Sequence, residues 1–223
     1  MSVSENILSV QAQIKEAAEF GARDPQDVNL VAVSKKQPDE RIDEALAAGH
    51  RLFGENRVQE AKQRWQERRL QYPDLKLHLI GPLQTNKVKD AVALFDVIET
   101  LDREKLAGAI AKEMANQGRD LPCFIQVNTG EEDQKAGVLP SEIKSFYDYC
   151  YYDCGLKIIG LMCIPPVDEP PALHFSLLKK YANEMDLKEL SMGMSGDFEK
   201  AIPLGATYVR VGTAIFGERA SVD

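Results

Sequence analysis

Lys35 is the residue best suited to covalent chemistry in this chain, because it directly follows the apolar segment NLVAVS at 29–34. Partial burial of an ammonium favours its neutral form, and a neutral amine can form a Schiff base with an aldehyde. The alternative is an ordinary solvated lysine at the start of a loop, which is also our interpretation of Lys36. Position alone leaves both interpretations of Lys35 open.

Two short segments, Ser195-Gly196 and Gly212-Thr213, each precede a predicted helix. Glycine lets an anion approach the backbone, and the free N–H groups at a helix start favour negative charge. Either segment alone could equally well cap its helix, because Ser and Thr are good N-cap residues. Their joint occurrence after the last two predicted strands favours a phosphate site, which barrels often build there.

Three polar residues lie in or directly after apolar segments: Arg210 in TYVRVG, His78 in KLHLIG and Asn56 after FGE. A guanidinium in such a strand needs a partner, so Arg210 should contact either a ligand or the carboxylate of a structural ion pair. A lone histidine there is more often a satisfied core residue than a ligand-binding one. Asn56 could donate to a ligand, although a cap on the next helix is the safer interpretation.

The spacing of apolar residues predicts one leading helix followed by eight strands that alternate with helices. The predicted strands are 29–34, 51–55, 76–81, 96–100, 122–128, 157–164, 189–192 and 207–211. The predicted helices are 5–20, 38–49, 57–70, 84–94, 103–117, 141–150, 170–186, 196–203 and 213–219.

Near-continuous apolar strands between amphipathic helices indicate an α/β fold with a parallel sheet, and eight such units predict a (β/α)8 TIM barrel. We expect residues 1–223 to form a single barrel domain with an extra N-terminal helix. A doubly wound open sheet competes, but it usually has a Gly-rich turn after its first strand, where this chain has SKKQ at 34–37. In a barrel, the polar strand ends described above would meet at one face.

Composition and charge narrow the classes of function. The net charge of −8 argues against a non-specific nucleic-acid binder, which needs a positive surface. No apolar run reaches the roughly 18 residues of a membrane span, and the N-terminal segment lacks the apolar region of a signal peptide. The four cysteines, at 123, 150, 154 and 163, are too sparse for a disulfide framework and lack a neighbouring cluster of metal ligands. We expect a cytoplasmic protein without a metal site.

Seven motifs between residues 30 and 219 together closely resemble the pyridoxal 5′-phosphate (PLP) homeostasis family, also known as YggS, PROSC or PLP-binding protein. In order, the motifs are LVAVSKK, FGENRVQE, LHLIGPLQTNK, VNTGEEDQKAG, GLMCIPP, LSMGMSGDFEKAI and VRVGTAIFGER. The resemblance covers nearly the whole chain. It implies a barrel like the N-terminal domain of alanine racemase, which is the PLP fold type III.

The resemblance also implies roles for individual residues around a PLP cofactor. Lys35 corresponds to the lysine that carries PLP as a Schiff base, whereas Lys36 stands where Thr or another residue often occurs. Ser195, Gly212 and Thr213 match the phosphate-binding motifs, and Arg210 is expected beside the pyridine nitrogen. Asn56, His78 and Met194 should line the same pocket. No catalytic residue is assigned.

The function implied is that of a PLP carrier or regulator in vitamin B6 and amino-acid/keto-acid balance, and not an enzyme with an efficient reaction. Racemisation needs a base on each face of the substrate. The second base in alanine racemase is a Tyr from another domain of a partner subunit, for which we expect no room in 223 residues. Amino acids and PLP-accepting apoenzymes are the expected partners of a monomer. A small racemase or other PLP enzyme, and a regulatory protein-interaction module, remain as alternatives.

Overall fold

The structure, a computed structural model, describes residues 2–218 as a closed barrel of eight strands in chain order. Each strand pairs in parallel with the next, and β8 pairs with β1. The strands are β1 (Asn29–Val33), β2 (Leu52–Glu55), β3 (Lys76–Leu79), β4 (Val97–Leu101), β5 (Cys123–Val127), β6 (Ile158–Cys163), β7 (Glu189–Met194) and β8 (Tyr208–Val211). The predicted (β/α)8 barrel is confirmed, and the open sheet is excluded.

Helices precede and alternate with the strands. They are α1 (Val3–Phe20), α2 (Asp39–Ala47), α3 (Val58–Trp65), α4 (Arg68–Gln71), α5 (Val88–Leu94), α6 (Glu104–Gln117), α7 (Ile143–Asp148), α8 (Pro171–Glu184), α9 (Phe198–Ala201) and α10 (Thr213–Phe216). Across residues 2–218, none of these helices combines the length and apolar character that a membrane crossing requires.

The leading helix α1 packs outside the barrel against α2 and α10, which follow β1 and β8. Its start is fixed by a capping box, in which the Ser2 hydroxyl accepts from the Glu5 N–H and the Glu5 carboxylate accepts from the Ser2 N–H. Its apolar stripe is buried, and the Asn6 amide donates to the carbonyl of Ile215 at 2.8 Å. The helix therefore covers the place where the last strand meets the first.

Several predicted boundaries differ from the observed ones. The helix predicted at 57–70 divides into α3 and α4, and the one predicted at 196–203 shrinks to α9. Strand β7 continues to Met194 through a shift of register against β8, where Gly193 has a φ of +93° that glycine adopts without strain. The helix predicted at 213–219 ends at Phe216, and residue 219 lies outside the described residues.

The cysteines behave as the sequence indicates. All four are free thiols, and Cys123, Cys150 and Cys163 are buried in the core. Burial raises the pKa of Cys123 and of Cys163 to about 12. Because the thiolate is the reactive form, a raised pKa makes these two thiols less reactive. They pack as small hydrophobic groups.

The backbone after β3 passes close to the backbone after β2, and this contact positions Asn56 at the barrel mouth. A Cβ atom on Gly81 would lie 2.4 Å from the carbonyl oxygen of Asn56 and 2.7 Å from its Cα. Glycine is therefore required where the chain leaves β3, because any side chain would displace the backbone after β2.

Candidate functional site

A cavity of about 250 Å³ opens at the carboxyl ends of the strands, where barrels carry their functional residues. Of the eight residues that the sequence predicts around PLP, seven line this cavity and His78 does not. The lining residues are Val33, Lys35, Gln37, Asn56, Ile80, Ile164, Met194, Ser195, Gly196, Arg210, Gly212 and Thr213.

The two lysines after β1 have different environments. Lys35 is half-buried and lines the cavity, whereas Lys36 is exposed and lies outside the lining. Lys36 has a φ of +57°, so the chain turns sharply directly after Lys35. The structure thus assigns the two neighbouring amines to different places, one in the cavity and one in solvent.

A buried carboxylate holds the turn that carries Lys35. Glu55 is fully buried at the end of β2, and its Oε1 accepts from the Ser34 hydroxyl at 2.7 Å, Arg64 Nη1 at 2.9 Å and Trp65 Nε1 at 3.0 Å. Arg64 also donates to the carbonyls of Ser34 and Gln37, on both sides of Lys35. Sequence reasoning missed this cluster, although a glutamate ending the apolar segment RLFGE signals a buried partner.

The two predicted phosphate-binding segments contact each other. The Gly212 N–H donates to the Ser195 hydroxyl oxygen at 3.2 Å. The turn containing Ser195 is closed by Asp197, whose side chain accepts from the Met194 N–H at 2.6 Å. Asp197 and Gly212 occupy the N-cap positions of α9 and α10, and neither helix has a side-chain cap bond. The capping interpretation of Ser195 and Thr213 is therefore wrong.

Asn56 does not cap a helix either. The N-cap of α3 is Arg57, without a side-chain cap bond, so the safer interpretation of Asn56 is corrected. Within the described part of the chain, Asn56 Oδ1 and Gln37 Oε1 are buried atoms without a hydrogen-bond partner. A buried acceptor without a donor is costly. Both residues line the cavity, so the two oxygens are suited to accept from a ligand.

Arg210 combines the two roles that the sequence left open. It lines the cavity although only 4% of its surface is exposed. Nη1 donates to the Ser191 hydroxyl at 2.6 Å, Nη2 donates to the carbonyl of Cys163 at 2.8 Å, and Glu99 Oε2 lies 4.0 Å away. The guanidinium is therefore both part of a structural ion pair and available to a ligand.

His78 is the predicted site residue that the structure places elsewhere. Its Nδ1 lies 2.6 Å from Glu99 Oε1 inside the barrel, and its ring packs against that of Tyr208. It borders a different cavity, at the amino ends of the strands, together with Lys76 and Tyr208. Ile80, two residues further along the chain, reaches the mouth cavity instead. Side chains of a barrel strand point inward in successive layers, so His78 lies one layer too deep to line the site.

The charge of the site is opposite to that of the whole molecule. Among the cavity-lining residues in the described chain, the charged groups are Lys35 and Arg210. The net charge of the sequence is −8. Two cations in a small and partly buried cavity favour an anionic ligand locally, whatever the overall charge.

Comparison with known proteins defines the family. The model for "alanine racemase, N-terminal domain" matches residues 9–220. The pyridoxal phosphate homeostasis protein of Aquifex aeolicus (strain VF5) is 39% identical over 228 residues, which covers 98% of this chain and 99% of the relative. The chain belongs to the pyridoxal phosphate homeostasis protein family. The resemblance inferred from the seven motifs is thereby confirmed.

Solved structures agree with this family. PipY of Synechococcus elongatus PCC7942, with PLP bound, has 35% sequence identity and a TM-score of 0.85, over 97% of this chain and 100% of PipY. The alanine racemase of Clostridium difficile 630 has 15% identity and a TM-score of 0.71, over 100% of this chain and 58% of the racemase. This second match shows the shared barrel.

Glu55→Gln should lower the free energy of unfolding by roughly 3 kcal/mol, because it breaks a buried ionic cluster at the carboxylate. Urea unfolding measures the loss, and the emission of Trp65, the single tryptophan, should shift as the acceptor of its indole N–H changes from a carboxylate to a neutral amide. Glu60→Gln, which removes an ion pair of Arg57 nearer the surface, should cost less than about 1 kcal/mol. Equal stabilities of the two variants would contradict the assignment of Glu55 as the anchor of the turn.

Proposed function

We propose that this chain is a single PLP-binding domain over residues 1–223 that holds PLP for vitamin B6 homeostasis and amino-acid/keto-acid balance. The observation that carries the proposal is one small cavity that combines the amine of Lys35 with two loops, at Ser195 and Gly212, that contact each other. An aldehyde and a phosphate on one ring are the groups that such a cavity fits. The relatives named above support this proposal.

The cavity passes a test of fit for this cofactor. Its volume is below the about 300–1,000 Å³ typical of sites for drug-sized ligands, as suits a single substituted ring. A Cβ atom on Gly196 would meet nothing within 4 Å, so the loop after β7 leaves open space beside its backbone. The buried acceptors on Asn56 and Gln37 offer places for ligand donors.

Each predicted residue has a role in this proposal. Lys35 would hold PLP covalently through its amine, and Ser195, Gly212 and Thr213 would hold its phosphate through hydroxyl and backbone donors. Arg210 would lie beside the pyridine nitrogen, and Asn56 and Met194 would line the ring. Bound PLP supplies an electron sink, which is most effective when its ring nitrogen is protonated. A guanidinium is a permanent donor without an acceptor, so Arg210 would keep that nitrogen unprotonated.

The same lining favours a carrier over a racemase. Racemisation needs a base on each face of the substrate. Among the described residues that line the cavity, Lys35 is the side chain that can serve as a base, and no tyrosine, histidine or carboxylate accompanies it. We therefore propose a cytoplasmic, monomeric carrier or regulator without efficient catalysis, which exchanges PLP with apoenzymes.

Lys35→Ala should abolish the visible absorption that purified protein acquires on incubation with PLP, because the covalent link is lost. Lys36→Ala should retain it, since Lys36 is exposed outside the cavity. Absorption spectra of the three proteins after removal of free PLP measure this. A colourless wild-type protein would overturn the proposed function, and loss of colour in Lys36→Ala alone would overturn the assignment of the lysine.

Ser195→Ala and Thr213→Val should each raise the dissociation constant for PLP about tenfold, because each removes a hydroxyl that can bond to a charged phosphate. Equilibrium dialysis with PLP measures the change. Ser145→Ala, which removes an exposed hydroxyl on α7, is the matched control and should bind like the wild type. Unchanged affinity in both cavity variants would show that these hydroxyls do not hold the phosphate.

Incubation of the PLP-loaded protein with each L-amino acid should give no accumulation of the D-isomer, because the described lining of the cavity offers Lys35 as its one base. Chiral chromatography over many hours measures the product, with an alanine racemase as the positive control. Enzymatic accumulation of a D-isomer that disappears in Lys35→Ala would overturn the carrier and favour a small racemase.

A further inference from the structure

A chain of buried polar side chains crosses the barrel interior below the site. Arg210 in β8 donates to the Ser191 hydroxyl in β7 at 2.6 Å, and Ser191 donates to Glu99 Oε2 in β4 at 2.5 Å. The other oxygen, Oε1, lies 2.6 Å from Nδ1 of His78 in β3. Each of the four residues is at most 4% exposed. Barrel interiors are usually filled by branched apolar side chains, so this polar chain needs a reason.

Glu99 is the centre of this chain because each of its oxygens is engaged by a different neighbour. Burial alone would raise the pKa of Glu99, but the hydrogen bond and charge of His78, the charge of Arg210 and the Ser191 hydroxyl hold it below the usual value. The carboxylate is therefore ionised and is the nearby counter-charge of the Arg210 guanidinium. A buried carboxylate with these contacts stabilises the neighbouring side chains and also constrains their orientation.

The direction of the Ser191 hydroxyl links Glu99 to the site. A serine hydroxyl has one proton and two acceptor lone pairs. Because that proton is given to Glu99, the lone pairs face the Nη1 of Arg210 and hold the guanidinium at the cavity. His78 bonds to Glu99, so its polar link to Arg210 runs through the carboxylate, whereas its ring packs against Tyr208 in β8.

We propose that Glu99 is the positioning residue that fixes Arg210 against the ring of the cofactor, and that His78 acts on the site only through Glu99. The proposal rests on the proposed binding of PLP by this cavity. It replaces the expectation that His78 lines the pocket with an indirect role for the same residue.

The decisive experiment compares PLP affinity and the absorption spectrum of bound PLP in Glu99→Gln, His78→Leu, His78→Asn and the double variant Glu99→Gln/His78→Leu. Glu99→Gln and His78→Leu should each raise the dissociation constant about tenfold and alter the ratio of the visible to the near-ultraviolet band. His78→Asn, which keeps a donor near the position of Nδ1, should restore most of the wild-type behaviour. The double variant should match Glu99→Gln within about twofold, because the hydrogen bond of His78 ends on Glu99.

His174→Leu is the matched control for the loss of a buried histidine. His174 is 5% exposed and contacts Thr129 at 3.0 Å and Glu169 at 3.2 Å, outside the polar chain. This variant should leave both the affinity and the spectrum unchanged even where it lowers the melting temperature. If Glu99→Gln fails to fold, Ser191→Ala takes its place, since it breaks the same link between the carboxylate and Arg210.

The outcomes separate this inference from the proposed function. A wild-type protein that does not bind PLP contradicts the function itself. Wild-type binding together with unchanged affinity and spectrum in Glu99→Gln or Ser191→Ala contradicts the positioning role. Additive losses in the double variant, or losses in His174→Leu equal to those in His78→Leu, would show that the histidine only stabilises the fold.

Discussion

The pairing of β8 with β1 is the constraint on which the site depends. The register places Ala32 opposite Val211, so the residues that follow the two strands come together although they are far apart in the chain. Lys35 and the Gly212-Thr213 segment thereby line one cavity. The leading helix covers this seam from outside, and its contacts with α2 and α10 stabilise the same closure.

Each of the two cations in the cavity has a buried carboxylate cluster nearby. Glu55 holds the turn around Lys35 through Ser34 and Arg64, and Glu99 reaches Arg210 through Ser191. Burial of a carboxylate costs free energy, which its hydrogen bonds and ion pairs offset. Three donors converge on Glu55 Oε1, and both oxygens of Glu99 are bonded, so the two clusters constrain the positions of the cations. A preorganised site loses less entropy when it binds its ligand.

The charge distribution explains how an acidic chain can bind an anion. The carboxylates responsible for the net charge of −8 are absent from the described lining of the cavity, whereas two cations line it. Binding of an anion then depends on the residues that line the cavity and not on the net charge of the chain. The same lining offers one base, and this is the physical basis for proposing a carrier in a family whose barrel is shared with racemases.

The sequence by itself determined the barrel and placed Lys35, Ser195 and Gly212 at its mouth, because apolar periodicity and ordered motifs are local properties of a chain. It could not determine how deep a side chain lies in the barrel, so His78 was expected in the pocket and lies a layer below it. It also could not show that Ser195 and Asn56 do not cap helices, since a cap and a ligand contact use the same residue types. The roles of Glu55 and Glu99 were decided by tertiary structure alone, because a buried carboxylate is defined by partners from distant strands.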